Sequence, residues 1–292
     1  MPAGVAARGR KQSRTSMNLN IAMYTSAEII DLARHSKHLE RNNLERDLRK
    51  AIASKEFVLH YQPQLDYAGN LTGAEALIRW RRSGSGLVLP AVFIEFAEET
   101  GLIIDIGAWA LFTACQQLSI WQRKSHTKNL TIAVNISARQ LNEAGFVARV
   151  IAMIEITGAN PHLLKLELTE SFAVAELEST AAKMKVLRAL GVSFSLDDFG
   201  TGHSSLVYLR ELPLDQLKLD QSFVRDIDTN CINAVIVRST VGLARSLGLA
   251  VIAEGVETSE QREMLARCGC CDYQGYLYHR ALPVDEFNQL AQ

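Results

Sequence analysis

Eight short apolar runs that alternate with longer helical stretches predict an α/β chain. The expected architecture is a (β/α)8 TIM-like barrel with an irregular, antiparallel first strand. Strands separated by helices imply parallel pairing, and eight of them close a barrel more readily than they extend an open sheet. Periodicity by itself does not decide between the two. The first two runs have only about ten residues between them, including Asp66, Gly69 and Asn70. That is too short for a helical crossover and reads as a hairpin.

In chain order, residues 1–26 read as a disordered leader or the remnant of an upstream domain, with Arg8, Arg10, Lys11 and Arg14 unaccompanied by acidic residues. Residues 27–54 carry Ile29, Ile30, Leu32, Leu39, Leu44, Leu48 and Ile52 at helical intervals among many charges. This is either a linker helix to something upstream or a helix that packs on the barrel. The barrel occupies 55–292. Its strand runs are Phe57–Gln62, Gly73–Trp80, Thr131–Ser137, Leu163–Leu168, Val192–Leu196, Gln216–Leu219, Leu249–Ala253 and a weaker one near Tyr273–Leu277. Helical patterns cover Gly101–Arg123, Arg139–Thr157, Ala175–Leu190, Cys231–Leu247 and Ser259–Cys268. Gly158, Gly191 and Gly248 follow three of these, where a left-handed residue ends a helix.

Composition removes several classes of function. The net charge of −1 gives no field that would draw the chain to a nucleic acid polymer or anionic lipid. Five cysteines exclude an even disulfide framework and suit a reducing cytosol. Cys268, Cys270 and Cys271 lack a second ligand pair at zinc spacing. The N-terminus has no continuous apolar core of the signal-peptide kind. Leu102 to Ile120 is the most apolar long stretch, but Asp105, Gln116 and Gln117 mark it as a buried helix and not a membrane span. A cytoplasmic location is expected, alone or within a larger membrane-associated protein.

The informative residues stand at strand ends. Glu75 lies in the second strand, Asn135 in the third, Glu167 in the fourth, and Asp197–Asp198 end the fifth. Lys218 and Asp220 come at the sixth, Glu254 ends the seventh, and Gln274 falls at the eighth. In a parallel barrel these ends share one face, where active sites form. Five clustered carboxylates repel one another and stay ionised together only beside cations. Oxygen donors without histidine or thiolate favour two ions of Mg²⁺ or Mn²⁺. Asp197 could bridge both ions while Asp198 reaches only the second, an arrangement suited to in-line phosphoryl displacement. Lys218 could then hold the nucleophile or the charge that develops at phosphorus. Taken singly, each residue has a plain alternative: a strand-end Asp caps the next helix, and a Lys balances a carboxylate.

At these positions the sequence resembles the EAL-domain family of cyclic di-GMP phosphodiesterases, from about Leu44 to Leu290. The motif Glu75-Ala76-Leu77 sits within Gly73-Ala-Glu-Ala-Leu-Ile-Arg79-Trp80. Other blocks follow in order: Tyr61-Gln-Pro63, Ala97-Glu-Glu-Thr-Gly101, Val134-Asn-Ile-Ser-Ala-Arg-Gln140, Glu167-Leu-Thr-Glu-Ser171, Asp197-Asp-Phe-Gly-Thr-Gly202, Leu217-Lys-Leu-Asp220, Ala253-Glu-Gly-Val-Glu257 and Gln274-Gly-Tyr276. The resemblance implies Glu75, Asn135, Glu167 and Asp197 as ligands of a first metal, with Asp197 and Asp198 serving a second. It implies Lys218 and Glu254 positioning or deprotonating the water, and Gln274 helping to orient it. Gln62, Leu77, Arg79 and Asp220 would contact cyclic di-GMP, and Ca²⁺ would inhibit. Glu170, with Glu257, would couple the metal site to a homodimer interface through the 199–206 loop. A sensor or diguanylate-cyclase domain could lie upstream, since Asn18–Tyr24 faintly resembles the end of a cyclase domain. His203, Cys271 and Ala281 depart from the family pattern, and none of them is a proposed metal ligand. The rival reading is a non-catalytic cyclic di-GMP receptor on the same barrel.

Overall fold

The computed structural model describes residues 26–169, 177–200 and 206–292. The chain divides into two units, Met1–Lys50 and Ala51–Gln292. Most of helix α1 (Ser26–Ala53) belongs to the first. On its surface Arg49 grips Glu45 one turn back at 2.8 Å, a contact worth a few tenths of a kcal/mol. The helix stops where Lys55 takes a left-handed backbone, φ 56°, and Glu56 N–H donates to Ala51 O.

The second unit begins with the hairpin of β1 (Phe57–Asp66) and β2 (Leu71–Arg82), in register from Phe57↔Trp80 to Gln64↔Gly73 and shifted by one at Leu65↔Leu71. Asp66 closes its turn by accepting from both the backbone and the side-chain amide of Asn70, and Gly69 supplies φ 85°. Next come β3 (Gly86–Val88), α2 (Ile94–Thr100), α3 (Ile103–Trp121), β4 (Thr131–Asn135), α4 (Ala138–Asn142), α5 (Phe146–Thr157) and β5 (Leu164–Thr169). The order continues with α6 (Leu177–Ala189), β6 (Ser193–Phe199), α7 (Leu206–Glu211), β7 (Gln216–Leu219), α8 (Gln221–Val224) and α9 (Cys231–Ser246). It ends with β8 (Ala250–Ala253), α10 (Ser259–Arg267), β9 (Asp272–Gln274), β10 (Leu282–Pro283) and α11 (Val284–Leu290).

Eight strands close on themselves in the order β1, β2, β4, β5, β6, β7, β8, β9, with β3 and β10 added at the sides. Strand β1 runs antiparallel to both β2 and β9, and the remaining barrel pairs are parallel. The expected barrel with an antiparallel first strand is the observed one. Alternation along each strand divides the side chains. In β5, Leu164, Leu166 and Leu168 are fully buried beneath the helices, each worth roughly 1.5–3 kcal/mol. Lys165 and Glu167 between them reach across the barrel interior to Gln216 and Lys218.

Helix α3 is long and apolar enough to cross a membrane by length and composition, yet Ile106, Leu111, Ala114, Leu118 and Trp121 are buried in the core. Trp121 stacks on Phe287 and donates to Asn288, which fastens α11 to the barrel. Gly158, Gly191 and Gly248 all have positive φ, as helix ends require. One difference concerns Arg139–Thr157, whose pattern suggests a single helix. It is two, because Glu143 turns extended and Gly145 starts α5.

Candidate active site

The carboxyl ends of the parallel strands gather the expected polar residues around Lys218, which is 1% exposed. Its ammonium lies 2.7 Å from Glu167, 2.7 Å from Glu254, 3.1 Å from Asp197 and 3.5 Å from Glu75. Burial alone pulls this ammonium toward neutrality, but Glu167, Glu254, Glu75 and Asp197 together hold its pKa well above the ordinary lysine value.

Glu75 is held on both oxygens. Asn135 donates to Oε1 at 2.6 Å and Gln274 to Oε2 at 2.5 Å. Burial pushes the Glu75 carboxyl up, but Lys218, Gln274 and Asn135 outweigh it, and its pKa falls below the usual glutamate value. Glu167 behaves in the opposite way. Burial, then Glu75 and Asp197, push it to about 8 against the pull of Lys218. Burial likewise raises Glu254 well above the usual range, and raises Asp198 with help from Asp197 and Asp220.

Adjacent residues in a regular strand point to opposite faces, so Asp197 and Asp198 should diverge. The register of β6 against β7 slips between Leu196 and Phe199, and Asp198 adopts φ 56°. The two carboxylates and Glu254 thereby offer oxygens within 4.8 Å of one another. A left-handed backbone at a residue other than glycine costs about 1–3 kcal/mol and persists where surrounding structure imposes it.

Hard divalent cations fit this arrangement. Every candidate donor is an oxygen; four carboxylates pair with one buried ammonium, and a fifth, Asp198, joins Asp197 and Glu254. Glu167 Oε1 is buried without a hydrogen-bond partner, a costly state that a cation would relieve.

A cavity of about 260 Å³ opens onto the centre and is bordered by Gln62, Glu75, Leu77, Asp197, Asp198, Lys218, Asp220, Glu254, Glu257 and Gln274. Asn135 and Glu167 join it through Glu75 and Lys218. Asp220 also caps α8 by accepting from Ser222 N–H, so its plain role and its place in the cavity coexist. Arg79 does not border this cavity itself; its Nη1 donates to Ile78 O, and its half-buried guanidinium lies within electrostatic reach of Glu75 and Tyr276, which do border it. Glu257 donates its backbone N–H to Gln261, within the cap of α10. Glu170, and residues 201–205 of the expected coupling loop, lie outside the described residues. A second, apolar cavity of about 490 Å³ between β2, β4 and α3 shares Leu77 with the first and is also bordered by Asn135.

Sequence reasoning missed three contributors. Tyr276 stands 52% exposed at the cavity rim with the Arg280 guanidinium 4.0 Å from its ring centre. Gly275 passes so close to the Val256 backbone that a Cβ would meet its oxygen at 2.1 Å. Gln64 is buried against Gln274. For Gln64 the available signal was its spacing of two from Gln62, which puts both on one face of β1.

Fold and site thus define a (β/α)8 barrel with an acidic, lysine-centred face. The family model for the EAL domain matches residues 45–281, and the chain belongs to the EAL domain family. It is 38% identical over 286 residues to the bifunctional diguanylate cyclase/cyclic di-GMP phosphodiesterase MucR of Pseudomonas aeruginosa, covering 95% of this chain and 42% of MucR. It is 38% identical over 246 residues to the cyclic di-GMP phosphodiesterase PdeR of Escherichia coli, covering 84% of this chain and 37% of PdeR. The chain therefore spans less than half the length of these relatives. Among solved structures, the PaMucR phosphodiesterase in complex with c-di-GMP superimposes with a TM-score of 0.80 at 42% identity, covering 84% of this chain and 99% of that one.

Proposed function

We propose that the chain is a metal-dependent phosphodiesterase that hydrolyses cyclic di-GMP to linear pGpG. The observation that carries this reading is the buried Lys218 shared among Glu75, Glu167, Asp197 and Glu254. Such a cluster is costly to bury. A receptor would need only the cavity and would gain nothing from this cost. The similarity to MucR and PdeR supports the same substrate.

Glu75, Asn135, Glu167 and Asp197 would hold one Mg²⁺ or Mn²⁺, and Asp197 with Asp198 a second; bound there, the ions supply positive charge for an in-line displacement at phosphorus. Glu254, ionised once cations replace the proton it holds in the metal-free protein, accepts the proton of the attacking water. The new P–O bond forms as the bond to the ribose 3′-oxygen breaks; that oxygen takes up a proton from solvent to leave as a hydroxyl, and Glu254 returns its proton to solvent. Lys218, whose pKa its four carboxylate neighbours hold well above the ordinary lysine value, serves as a fixed charge against the negative phosphoryl oxygens. Gln274 and Asn135 keep Glu75 in place. Gln62, Leu77, Arg79 and Asp220 contact the nucleotide, and the apolar cavity beyond Leu77 gives a base a dry surface. A homodimer through the 199–206 region, coupled by Glu170 and Glu257, belongs to the same reading, as does an upstream sensor or cyclase domain.

The test is a hydrolysis assay and a binding titration on one metal-stripped sample. Mg²⁺ or Mn²⁺ should yield pGpG. Ca²⁺ should bind and hold the nucleotide without turnover, because it prefers bonds of about 2.3–2.6 Å against about 2.0–2.1 Å for Mg²⁺. Binding without hydrolysis in every metal would favour the receptor, and equal turnover in Ca²⁺ or chelator would overturn the two-ion assignment.

A further inference from the structure

We infer that Gln64 is a positioning residue of the hydrolytic site: it fixes the orientation of the Gln274 carboxamide and, through it, the Glu75 carboxylate. The inference rests on the function proposed above.

Strand β1 is the antiparallel member of the barrel, and it lies between the two strands that carry these residues. Its register pairs Gln62 with Glu75 on β2 and Gln64 with Gln274 on β9. Gln62 and Gln64, two apart, share one face of the strand. Gln64 is 2% exposed, and a buried amide is stable only if hydrogen-bonded. Its Nε2 donates to Gln274 Oε1 at 2.9 Å. With that oxygen taken, Gln274 has only Nε2 left for Glu75 Oε2 at 2.5 Å and Gln62 Oε1 at 3.4 Å.

The direction of this relay is set by charge. A carboxylate can only accept, so Glu75 requires the NH₂ end of Gln274, which leaves the carbonyl end for a donor. Gln64 is that donor. With Gln274 turned end for end, Oε1 would face Oε2 of Glu75 with no hydrogen between them. The backbone of Gln64 is held as well, since Thr72 Oγ1 donates to its carbonyl and the β1–β2 register shifts immediately after it. None of the three glutamines has to carry charge for this arrangement, so the relay orients Glu75 without adding to the crowded electrostatics of the centre.

The experiment is a double-mutant cycle of Gln64→Met, Gln274→Met and the pair, with kcat and KM for cyclic di-GMP in Mg²⁺ and side-chain amide NMR on the metal-free proteins. Gln64→Met should lower kcat about tenfold or more and leave KM within about twofold, the pattern of a group that acts on the transition state. The double variant should fall no further than Gln274→Met, because residues acting through one another are not additive. In the metal-free protein the Gln274 NH₂ resonances, identified by their loss in Gln274→Met, should be slow to exchange and should shift and broaden in Gln64→Met. If methionine unfolds the barrel, Gln64→Asn, one methylene too short to reach, takes its place in the cycle. Multiplicative losses, or Gln274 resonances unchanged by the Gln64 substitution, overturn the inference. If the wild type fails to hydrolyse cyclic di-GMP, the proposed function falls, and the NMR comparison still decides the relay.

Discussion

Lys218 shows how one residue can serve both folding and chemistry. Removing one member of a buried ion pair leaves charge uncompensated, at a cost of about 3–5 kcal/mol. Lys218→Ala should therefore destabilise the metal-free protein by about that amount, and bound Mg²⁺ should recover part of it. Turnover should fall at least ~10²-fold, since a fixed charge at the reacting phosphoryl group is lost. Denaturant titration and steady-state kinetics check both, and near-normal turnover would remove Lys218 from the mechanism. Asp198→Asn should act in the opposite sense on stability. Asparagine tolerates the left-handed backbone, and the substitution removes one of the crowded like charges. The metal-free variant should unfold no more easily than wild type while cation binding weakens, which calorimetric titration reads. These acidic residues and Lys218 were readable in the sequence because each interrupts or ends an apolar strand run, Glu75 from inside β2 and the others at or near a strand end. Gln64 was not. Its role depends on the register of β1 against β9, between residues 210 apart in the chain, and periodicity carries no information about register.

Two sequence blocks acquire a further purpose from the elements they join. Arg139 donates to the Glu98 and Glu99 carbonyls at the end of α2. Ser137 and Gln140 form a reciprocal capping box at the start of α4, two residues after Asn135. The ends of α2 and β4 are thus tied together, and Asn135 enters the site from a fixed chain. Gly107 on α3 makes room for the Gln140 amide, since a Cβ there would meet Nε2 at 2.0 Å. Gly→Ala inside a helix ordinarily stabilises by about 1 kcal/mol. Here Gly107→Ala should instead destabilise by about 1–2 kcal/mol, because Gln140 must leave its cap. Thermal unfolding gives the sign directly, and a raised Tm would show that the cap is dispensable. The long strands and helices were readable from periods of two and of 3.6. The short β3, β10 and α8, and the break between α4 and α5, were not, because such pieces are fixed by pairing and capping partners distant in sequence.

TIM barrels usually fill their interior with branched aliphatic side chains. This one holds Gln64, Glu75, Lys165, Glu167, Ser195, Gln216, Lys218 and Gln274 there, so its stability should respond to protons and cations together. In the metal-free protein Glu167 is raised to about 8 and Glu254 well above the usual range, chiefly by burial. The folded state therefore holds protons that the unfolded chain releases above about pH 4.5. Where the folded state binds more protons, stability falls as pH rises. Glu75, shifted down, loses its contribution only in acid, and Lys218, shifted up, keeps its contribution below the ordinary lysine value. His60, lowered mainly by burial, works in the opposite direction, but only below its ordinary value of 6.5. Lys165, also lowered mainly by burial, opposes the trend once the pH passes its lowered value, so the window to compare is about pH 6.5 to 8. In chelator, unfolding free energy should decrease across it. Saturating Mg²⁺ should abolish or reverse the slope, because the cation takes the place of the protons and is bound more tightly as they leave. Denaturant titrations at both ends of the window, with and without Mg²⁺, make the comparison. Stability that is flat or rising in chelator would mean that Glu167 and Glu254 are already ionised in the empty barrel, and that Lys218 and the buried amides suffice to hold the acidic face together without a cation.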